Sequence, residues 1–492
     1  MKRTKTPSFS LALKLNTSLK DVKVLNDRFF IAFLMTNRLV SHVNKALNAM
    51  RQDKEYRKAL HEYLSLKGKD DPISKHNRNV LGEELSRIRL KYGLSEYQFH
   101  DWISVQQHRY VKYIDSFTAQ KIATRVWEST NAVLFKKGKK VHYQKLDSLY
   151  SLEGKTNSTG IRFADGKLKW NKLIIQPAFD KHDRYEVEAL THRVKYCRIK
   201  RMAMGKSYHY YLELILEGTP PQKHPFKDGR VGLDQGTSSE AVFSENGCIL
   251  TELAPERADI EKQVSRLQRK LDRSRRATNP DNYDPDGTVK KRRNKWVRSK
   301  TYKTTQMKLK TLRRRNAATV KQSEEIFANR ILEEHGSDIT TEKMDYKALQ
   351  LRAKETKTTK TGRYASKKRF GKSLSKHAPA KFLSILERKL RYINKSVNYV
   401  DTWKFKASQY DHVIGDHQSS SLSSRSKMIG EHLVQRDLYS AFLLWAATDE
   451  TTVDRTLCFE YFPLFLSYQS TCIAGLKENT CNLSSFGLKD FG

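Results

Sequence analysis

Three acidic residues lie beside core-like sequence in the C-terminal half of the chain. Asp234 follows the apolar run in "RVGLDQG", Glu342 ends the run in "SDITTEKMDYKAL", and Asp437 precedes "LYSAFLLWAA". An unpaired charge beside apolar sequence is costly. Taken alone, each is more typical of a capping or surface carboxylate. Together, two strand-borne carboxylates and one at a helix start can meet at the edge of one sheet.

Carboxylates grouped in this way can hold two divalent ions about 3.5–4 Å apart. Hard oxygen ligands suit Mg²⁺, with Mn²⁺ as a substitute, rather than zinc. One ion would activate a water molecule and the other would stabilise a leaving 3′ oxygen. This chemistry predicts hydrolysis of a phosphodiester.

The charge of the chain favours a polyanionic partner. It has 492 residues, with 93 Lys and Arg against 54 Asp and Glu, and a formal net charge of +39. Nucleic acid is favoured because each neutralised phosphate releases counterions. An anionic membrane surface is the rival, but no apolar run approaches transmembrane length. Five scattered cysteines form no CxxC pair, which predicts neither a disulfide framework nor a zinc ribbon, and fits a cytoplasmic protein.

The periodicity of apolar residues divides the N-terminal half into three segments. The sequence from Ser8 to Ser18 alternates as a strand does, and residues 21–136 have the three- and four-residue spacing of amphipathic helices. Short strands follow, including a hairpin with Asp165-Gly166 as its turn. This order predicts one β-barrel interrupted by a helical insertion.

A resemblance to a known family adds to these observations. "GLDQGTSSEAVFSENG" resembles the first motif of RuvC-type RNase H-fold nucleases, "TTEKMDYKAL" the second and "VQRDLYSAF" the third. Their order and the long insertion between the first two resemble TnpB, the transposon-encoded RNA-guided nuclease, and its relatives, the compact type V CRISPR effectors. "TAQKIATRVWESTNAVLFKKGKKVHYQKL" and "FKASQYDH" are also similar to segments of that family.

The resemblance implies a multidomain α+β protein: a split β-barrel, or wedge, with an inserted α-helical recognition lobe, followed by an RNase H-fold RuvC nuclease domain. The expected segments are the wedge at 1–20 and 137–220, the helical lobe at 21–136, a linker at 221–230, RuvC motifs one and two at 231–406, a nucleic-acid-binding insertion at 407–433, the third motif at 434–450, and a C-terminal tail of unknown role at 451–492. The apolar content of that tail predicts packing rather than a disordered arm.

The sequence departs from the family in the insertion. After Ser408 and Gln409 the family commonly has two CxxC pairs, whereas this chain has no cysteine at 407–433. We therefore expect no structural zinc. Three histidines there are expected to be polar loop residues rather than metal ligands: His412, His417 and His432.

Four basic residues are predicted to contact nucleic acid: Arg425, Lys367, Lys368 and Arg369. Arg425 is expected to contact a phosphate, with a solvated surface arginine as the alternative. The other three lie in a basic stretch after Glu342 that suits a phosphate backbone, with a solvated lysine-rich loop as the alternative.

The predicted function is therefore that of an RNA-guided DNA endonuclease. A guide RNA would pair with target DNA, the protein would recognise a short flanking motif, and Asp234, Glu342 and Asp437 would hold two Mg²⁺ ions for cleavage. An RNA-guided DNA-binding regulator without cleavage is one alternative. An RNase H-fold transposase or integrase acting without RNA is another. The sequence leaves open whether the guide comes from a transposon or a CRISPR array, the guide length, the flanking motif and the oligomeric state.

Overall fold

The structure is a computed structural model. It describes residues 6–135, 138–205, 207–222, 224–292, 294–352, 355, 356, 358, 362, 364, 370–418, 424–479 and 486–491. The chain divides into two compact units, Met1–Pro221 and Gln222–Gly492. Both units mix helices with strands. Within the described residues, each helix is too short or too polar to span a membrane.

The described residues of the first unit form seven strands and six α-helices. In chain order they are β1 (Ser8–Lys14), α1 (Leu19–Gln52), α2 (Lys54–Ser65), α3 (Pro72–Lys91), α4 (Glu96–Arg109), α5 (Ser116–Phe135), β2 (Ser151–Glu153), β3 (Arg162–Ala164), β4 (Lys167–Trp170), β5 (Leu173–Ile175), α6 (Arg184–Ala189), β6 (Val194–Met204) and β7 (Ser207–Glu217). Five helices thus lie between the first strand and the second.

The strands of the first unit form two antiparallel sheets. One has the order β1-β7-β6-β2 and the other β3-β4-β5. The predicted hairpin is present between β3 and β4, where Asp165 and Gly166 both adopt positive φ, of 52° and 68°. The helices begin at side-chain caps: Ser18 and Asp21 form a reciprocal capping box at the start of α1. Closure of the two sheets into a barrel stays a prediction.

The second unit is built on a five-stranded mixed sheet. Its elements are β8 (Arg230–Gln235), β9 (Ser239–Ser244), β10 (Gly247–Glu252), α7 (Glu261–Thr278), α8 (Lys300–Arg330), β11 (Asp338–Glu342), α9 (Tyr346–Gln350), α10 (Gly371–His377), α11 (Pro379–Tyr392), β12 (Asn398–Val400), α12 (Thr402–Phe405), β13 (Tyr410–Asp411), β14 (Asp416–His417), β15 (Ser426–Ile429), β16 (His432–Gln435), α13 (Arg436–Trp445) and α14 (Arg455–Asn479). The sheet order is β10-β9-β8-β11-β12, in which β8, β11 and β12 are parallel and β9 and β10 are antiparallel to their neighbours.

Apolar side chains on each face of this sheet form a separate core. On one face, Phe243 and Ala241 pack with the apolar residues of α13 and α14. On the other, Val231 and Leu233 pack with those of α8 and α11. Because successive residues of β8 face opposite cores, Asp234 lies on the α13 face. The hairpin β15–β16 leads directly into α13.

Candidate functional site

Asp234 and Glu342 lie side by side on neighbouring parallel strands. In the register of β8 and β11, Leu233 is the partner of Thr341, so the two acidic residues each follow by one position. The Thr341 hydroxyl donates a hydrogen bond of 2.7 Å to the Leu233 carbonyl, which fixes this alignment. Both carboxylates therefore lie where these two strands end.

Asp437 reaches the same place from the first turn of α13. The helix packs tightly on β8 because Gly232 has no side chain there: a Cβ at this position would lie 1.8 Å from the Ala441 carbonyl oxygen and 2.4 Å from the Trp445 nitrogen. Gln435 caps the helix by accepting a hydrogen bond from Leu438 N at 2.7 Å. The close approach places Asp437 beside the sheet edge.

The three predicted residues line one cavity of about 200 Å³. Its walls are formed by Asp234, Gln235, Gly236, Ser239, Glu342, Met344, Ser408, Gln409, Arg425, Arg436, Asp437 and Ser440. Ser408 and Gln409, noted in the sequence for their resemblance to the family signature, thus face the carboxylates. Carboxylates more than 200 positions apart in the chain converge here.

Two arginines bind Asp437. Arg425 Nη1 lies 3.0 Å from Asp437 Oδ2, and Arg436 Nη2 lies 3.2 Å from Oδ1. Asp437 is only 9% exposed, whereas the Arg425 side chain is partly open to water, so the carboxylate side of these charge-assisted contacts is the buried one. Arg425, predicted as a phosphate contact, is therefore at the cavity and paired with a carboxylate. Arg436 was not singled out in the sequence, although it directly precedes Asp437.

The other two carboxylates have shifted pKa values. Burial raises the pKa of Asp234 well above its ordinary value, and the nearby negative charges of Asp437 and Glu342 raise it further, while the two arginines counteract the rise. Burial also raises the pKa of Glu342, against a hydrogen bond from the Ala407 backbone that lowers it. Concentrated negative charge of this kind is relieved by a bound cation.

The cavity suits a hard divalent cation because its three acidic residues, Asp234, Glu342 and Asp437, offer carboxylate oxygens as ligands. No group of three or more His, Cys, Asp or Glu side chains within the described part of the chain is arranged to hold a metal ion as it stands. Both oxygens of Asp437 are paired with guanidinium groups. A metal ion bound by Asp437 would compete with these arginine contacts.

A fourth carboxylate near the site was missed. Glu240, in β9, is fully buried, and neither of its carboxylate oxygens has a hydrogen-bond partner among the described residues. Burial raises its pKa well above the ordinary value and Asp234 adds to the rise, while the nearby Gln235 side chain counteracts it. Its cross-strand neighbour Gln235 accepts a hydrogen bond of 2.6 Å from the Tyr346 hydroxyl. The position of this glutamate inside the apolar strand "SEAVFS" is the sequence feature that could have indicated a buried carboxylate.

The insertion histidines differ from the expectation in one case. His412 was expected to be a polar loop residue, but it is fully buried, because aromatic rings of Tyr439, Phe442, Phe459 and Phe462 surround it. Its Nδ1 lies 2.7 Å from the Tyr439 hydroxyl. Burial lowers the pKa of His412 to about 4.

The remaining predicted residues have no shared site. His417 Nε2 lies 3.1 Å from the Phe405 carbonyl oxygen, and His432 is exposed. Lys367, Lys368 and Arg369, predicted to contact nucleic acid, lie outside the described residues.

Comparison with known proteins gives only distant structural likenesses. No protein-family model and no curated protein matches the chain. A Cas12f1–sgRNA–target DNA complex is similar over 90% of this chain and 99% of its own, at 10% identity and a TM-score of 0.42. A CRISPR-Cas12f ternary complex is similar over 89% of this chain and 87% of its own, at 10% identity and a TM-score of 0.26. A Cas12i–crRNA–double-stranded DNA complex is similar over 92% of this chain and 64% of its own, at 9% identity and a TM-score of 0.23. TM-scores below 0.5 are too low to establish a shared fold.

Proposed function

We propose that the chain is a Mg²⁺-dependent DNA endonuclease of the RuvC type. The observation that supports this most directly is the convergence of Asp234, Glu342 and Asp437 on one cavity at the sheet edge. Their placement on two parallel strands and one helix start is the arrangement that the motif resemblance implies. A solvated or capping role for all three does not explain why they share a cavity and why burial raises the pKa of Asp234 and Glu342.

The three carboxylates would hold two Mg²⁺ ions, which supply activation of the attacking water and stabilisation of the leaving oxygen. Asp234 and Glu342 present oxygens on adjacent strands whose relative position the Thr341 hydrogen bond fixes. Arg425 and Arg436 place positive charge at the cavity and can bind a phosphate when Asp437 turns to a metal. Ser408 and Gln409 add hydrogen-bonding groups to the wall.

The nuclease is proposed to act under RNA guidance, as a TnpB-type or compact type V effector. The net charge of +39 favours a large polyanionic partner. The first unit, with five helices between β1 and β2, supplies a body of over 200 residues for guide RNA and the guide–target duplex. Phosphate contacts alone give affinity without sequence choice, so base pairing would select the target.

The two alternatives differ from this proposal in testable ways. A DNA-binding regulator without cleavage needs no cluster of carboxylates, which is why the cavity favours the nuclease. A transposase or integrase acting without RNA would use the same cluster. The transposase or integrase alternative, however, gives the large first unit no role.

The experiment uses the full chain purified with its copurified RNA, a target plasmid and Mg²⁺. Asp234→Ala, Glu342→Ala and Asp437→Ala should each abolish cleavage and leave RNA binding unchanged, because RNA affinity is spread over many basic contacts. Glu431→Ala is the matched control, since Glu431 is exposed in the hairpin turn just before Asp437. Chelation of Mg²⁺ should imitate the three variants, and Mn²⁺ should restore cleavage. Near-parental cleavage by one alanine variant would remove that residue from the site.

A further inference from the structure

The C-terminal helix α14 is hydrogen-bonded to the strand that leads into the Asp437 helix. Gln469, only 4% exposed, accepts a hydrogen bond from Gln435 N at 2.7 Å and donates one to the Leu433 carbonyl at 3.1 Å. A single side-chain amide thus binds the backbone on both sides of Val434. The contact spans 34 residues of chain, and it ends two residues before Asp437.

Gln435 continues this connection to the turn at residues 486–488. Its Oε1 caps α13 through Leu438 N, and its Nε2 donates a hydrogen bond of 3.2 Å to the Phe486 carbonyl. Gln435 is fully buried, so water could not replace a lost partner of its side-chain amide, and loss of either hydrogen bond would be costly. The first turn of α13 and residue 486 are therefore held by the same side chain.

The turn at residues 486–488 also contacts the arginine that pairs with Asp437. Gly487 has φ of +70°, and a Cβ added there would lie 2.0 Å from Arg425 Cβ. Phe486 and Leu488, on either side, are 5% and 1% exposed within the core that contains α13. The turn thus packs directly against the base of the Arg425 side chain, whose guanidinium is paired with Asp437.

We propose that Gln469 and the turn at residues 486–488 are positioning residues for the nuclease site: they hold Asp437 through Gln435 and Arg425 through Gly487. This inference rests on the proposed nuclease function. It gives the C-terminal tail, which has no role in the family resemblance, a defined task. The contacts act on the backbone beside Asp437 and on its arginine partner, so we expect their loss to change the geometry of the cavity.

The first test compares two glycine variants. Gly487→Ala introduces both a left-handed alanine and a clash with Arg425. Gly430→Ala, in the turn of the β15–β16 hairpin, introduces a left-handed alanine at φ +57° with no atom within 4 Å of the new Cβ. The difference between them isolates the displacement of Arg425. A misplacement of about 1 Å can reduce a rate by on the order of 100-fold.

Single-turnover DNA cleavage, with RNA and target binding measured alongside, gives the result. Gly487→Ala should slow cleavage at least tenfold at saturating Mg²⁺ with binding unchanged, and Gly430→Ala should slow it less than twofold. Equal rates for the two variants would overturn the inference. Absence of cleavage by the parent protein would instead overturn the proposed function, so the two failures are distinguishable.

The second test adds a readout that does not depend on activity. Gln469→Met keeps the length of the side chain and removes both hydrogen bonds, whereas Thr471→Met changes an exposed position on the same helix. Hydrogen–deuterium exchange of the peptide covering residues 433–438 should rise at least tenfold in the first variant and remain parental in the second. Cleavage by Gln469→Met should fall about tenfold with unchanged DNA binding. Parental exchange at residues 433–438 in Gln469→Met would contradict the positioning role.

Discussion

Gly232 on β8 lies so close to α13 that a Cβ there would be 1.8 Å from the carbonyl oxygen of Ala441. Gly232 and Asp234 face the same side of the strand, and Ala441 lies one helical turn beyond Asp437. The separation between strand and helix therefore also sets the separation between the two carboxylates. A single missing side chain makes the cavity possible.

Gly232→Ala should consequently reduce DNA cleavage by more than its effect on the free energy of unfolding explains. Overpacking of a close contact costs about 1–3 kcal/mol, and displacement of α13 moves Asp437 away from Asp234. We expect a lower free energy of unfolding and loss of cleavage by more than tenfold. Gly371→Ala is the control, because its new Cβ would have its nearest neighbour at 3.9 Å. Parental cleavage by Gly232→Ala would show that the helix position is not critical.

Glu240→Gln should stabilise the protein above neutral pH. A buried carboxyl whose pKa is higher in the folded state than its ordinary value of 4.5 lowers stability as pH rises, because the unfolded chain ionises it more readily. Among the described residues neither oxygen has a hydrogen bond of normal geometry, and only the Gln235 side chain lowers the pKa. We therefore expect the variant to be more stable by about 1–3 kcal/mol at pH 8, with the difference shrinking toward pH 4.5. Denaturant unfolding of the parent, Glu240→Gln and the exposed-site control Glu245→Gln would measure it. A less stable Glu240→Gln variant would mean that Glu240 has a stabilising partner.

His412→Phe should make the free energy of unfolding depend less on pH below pH 7. The folded pKa of about 4 lies below the ordinary value of 6.5, so the unfolded chain takes up a proton first as pH falls, and the folded state loses stability between these values. The parent should lose about 1–2 kcal/mol more than the variant between pH 7 and pH 5. His335, whose pKa burial also lowers to about 4, contributes equally to both proteins. Exposed His432→Gln should behave like the parent, and parallel profiles for the parent and His412→Phe would refute the prediction.

The purified protein is expected to carry no stoichiometric zinc. Segment 407–433 contains no cysteine. His412 is buried among aromatic rings, and among the described residues no three His, Cys, Asp or Glu side chains are grouped to hold a metal ion. Elemental analysis after extensive dialysis would measure this. About one zinc per chain would overturn the prediction and make the insertion histidines candidate ligands.

Local sequence patterns were sufficient to predict the elements that carry the site. The apolar runs around Asp234 and Glu342 are strands, and the apolar sequence after Asp437 is a helix. The Asp165-Gly166 hairpin turn is also confirmed. These features depend on short-range periodicity and on turn conformation, which neighbouring residues determine.

Features that depend on distant contacts were not predictable in this way. The pairing of Arg425 with Asp437 depends on the register of the β15–β16 hairpin, in which Ser426 is the partner of Gln435. The sequence of the segment did not reveal this register. Helix α14 contains Pro463, which obscures helical periodicity because proline is unfavourable inside a helix. His412 is buried only because rings from α13 and α14 surround it.

The central claim is that the carboxylate cavity cuts DNA chosen by a bound RNA. The most direct measurement is cleavage of a plasmid library with a fixed target beside randomised flanking bases. It would be incubated with protein alone, with copurified RNA, and with RNA whose guide segment has been changed. We predict Mg²⁺-dependent cleavage only with RNA, next to a restricted set of flanking bases, at a site that moves with the guide. Equally efficient cleavage without RNA, or cleavage that ignores the altered guide, would contradict the account and favour an RNA-independent integrase or transposase.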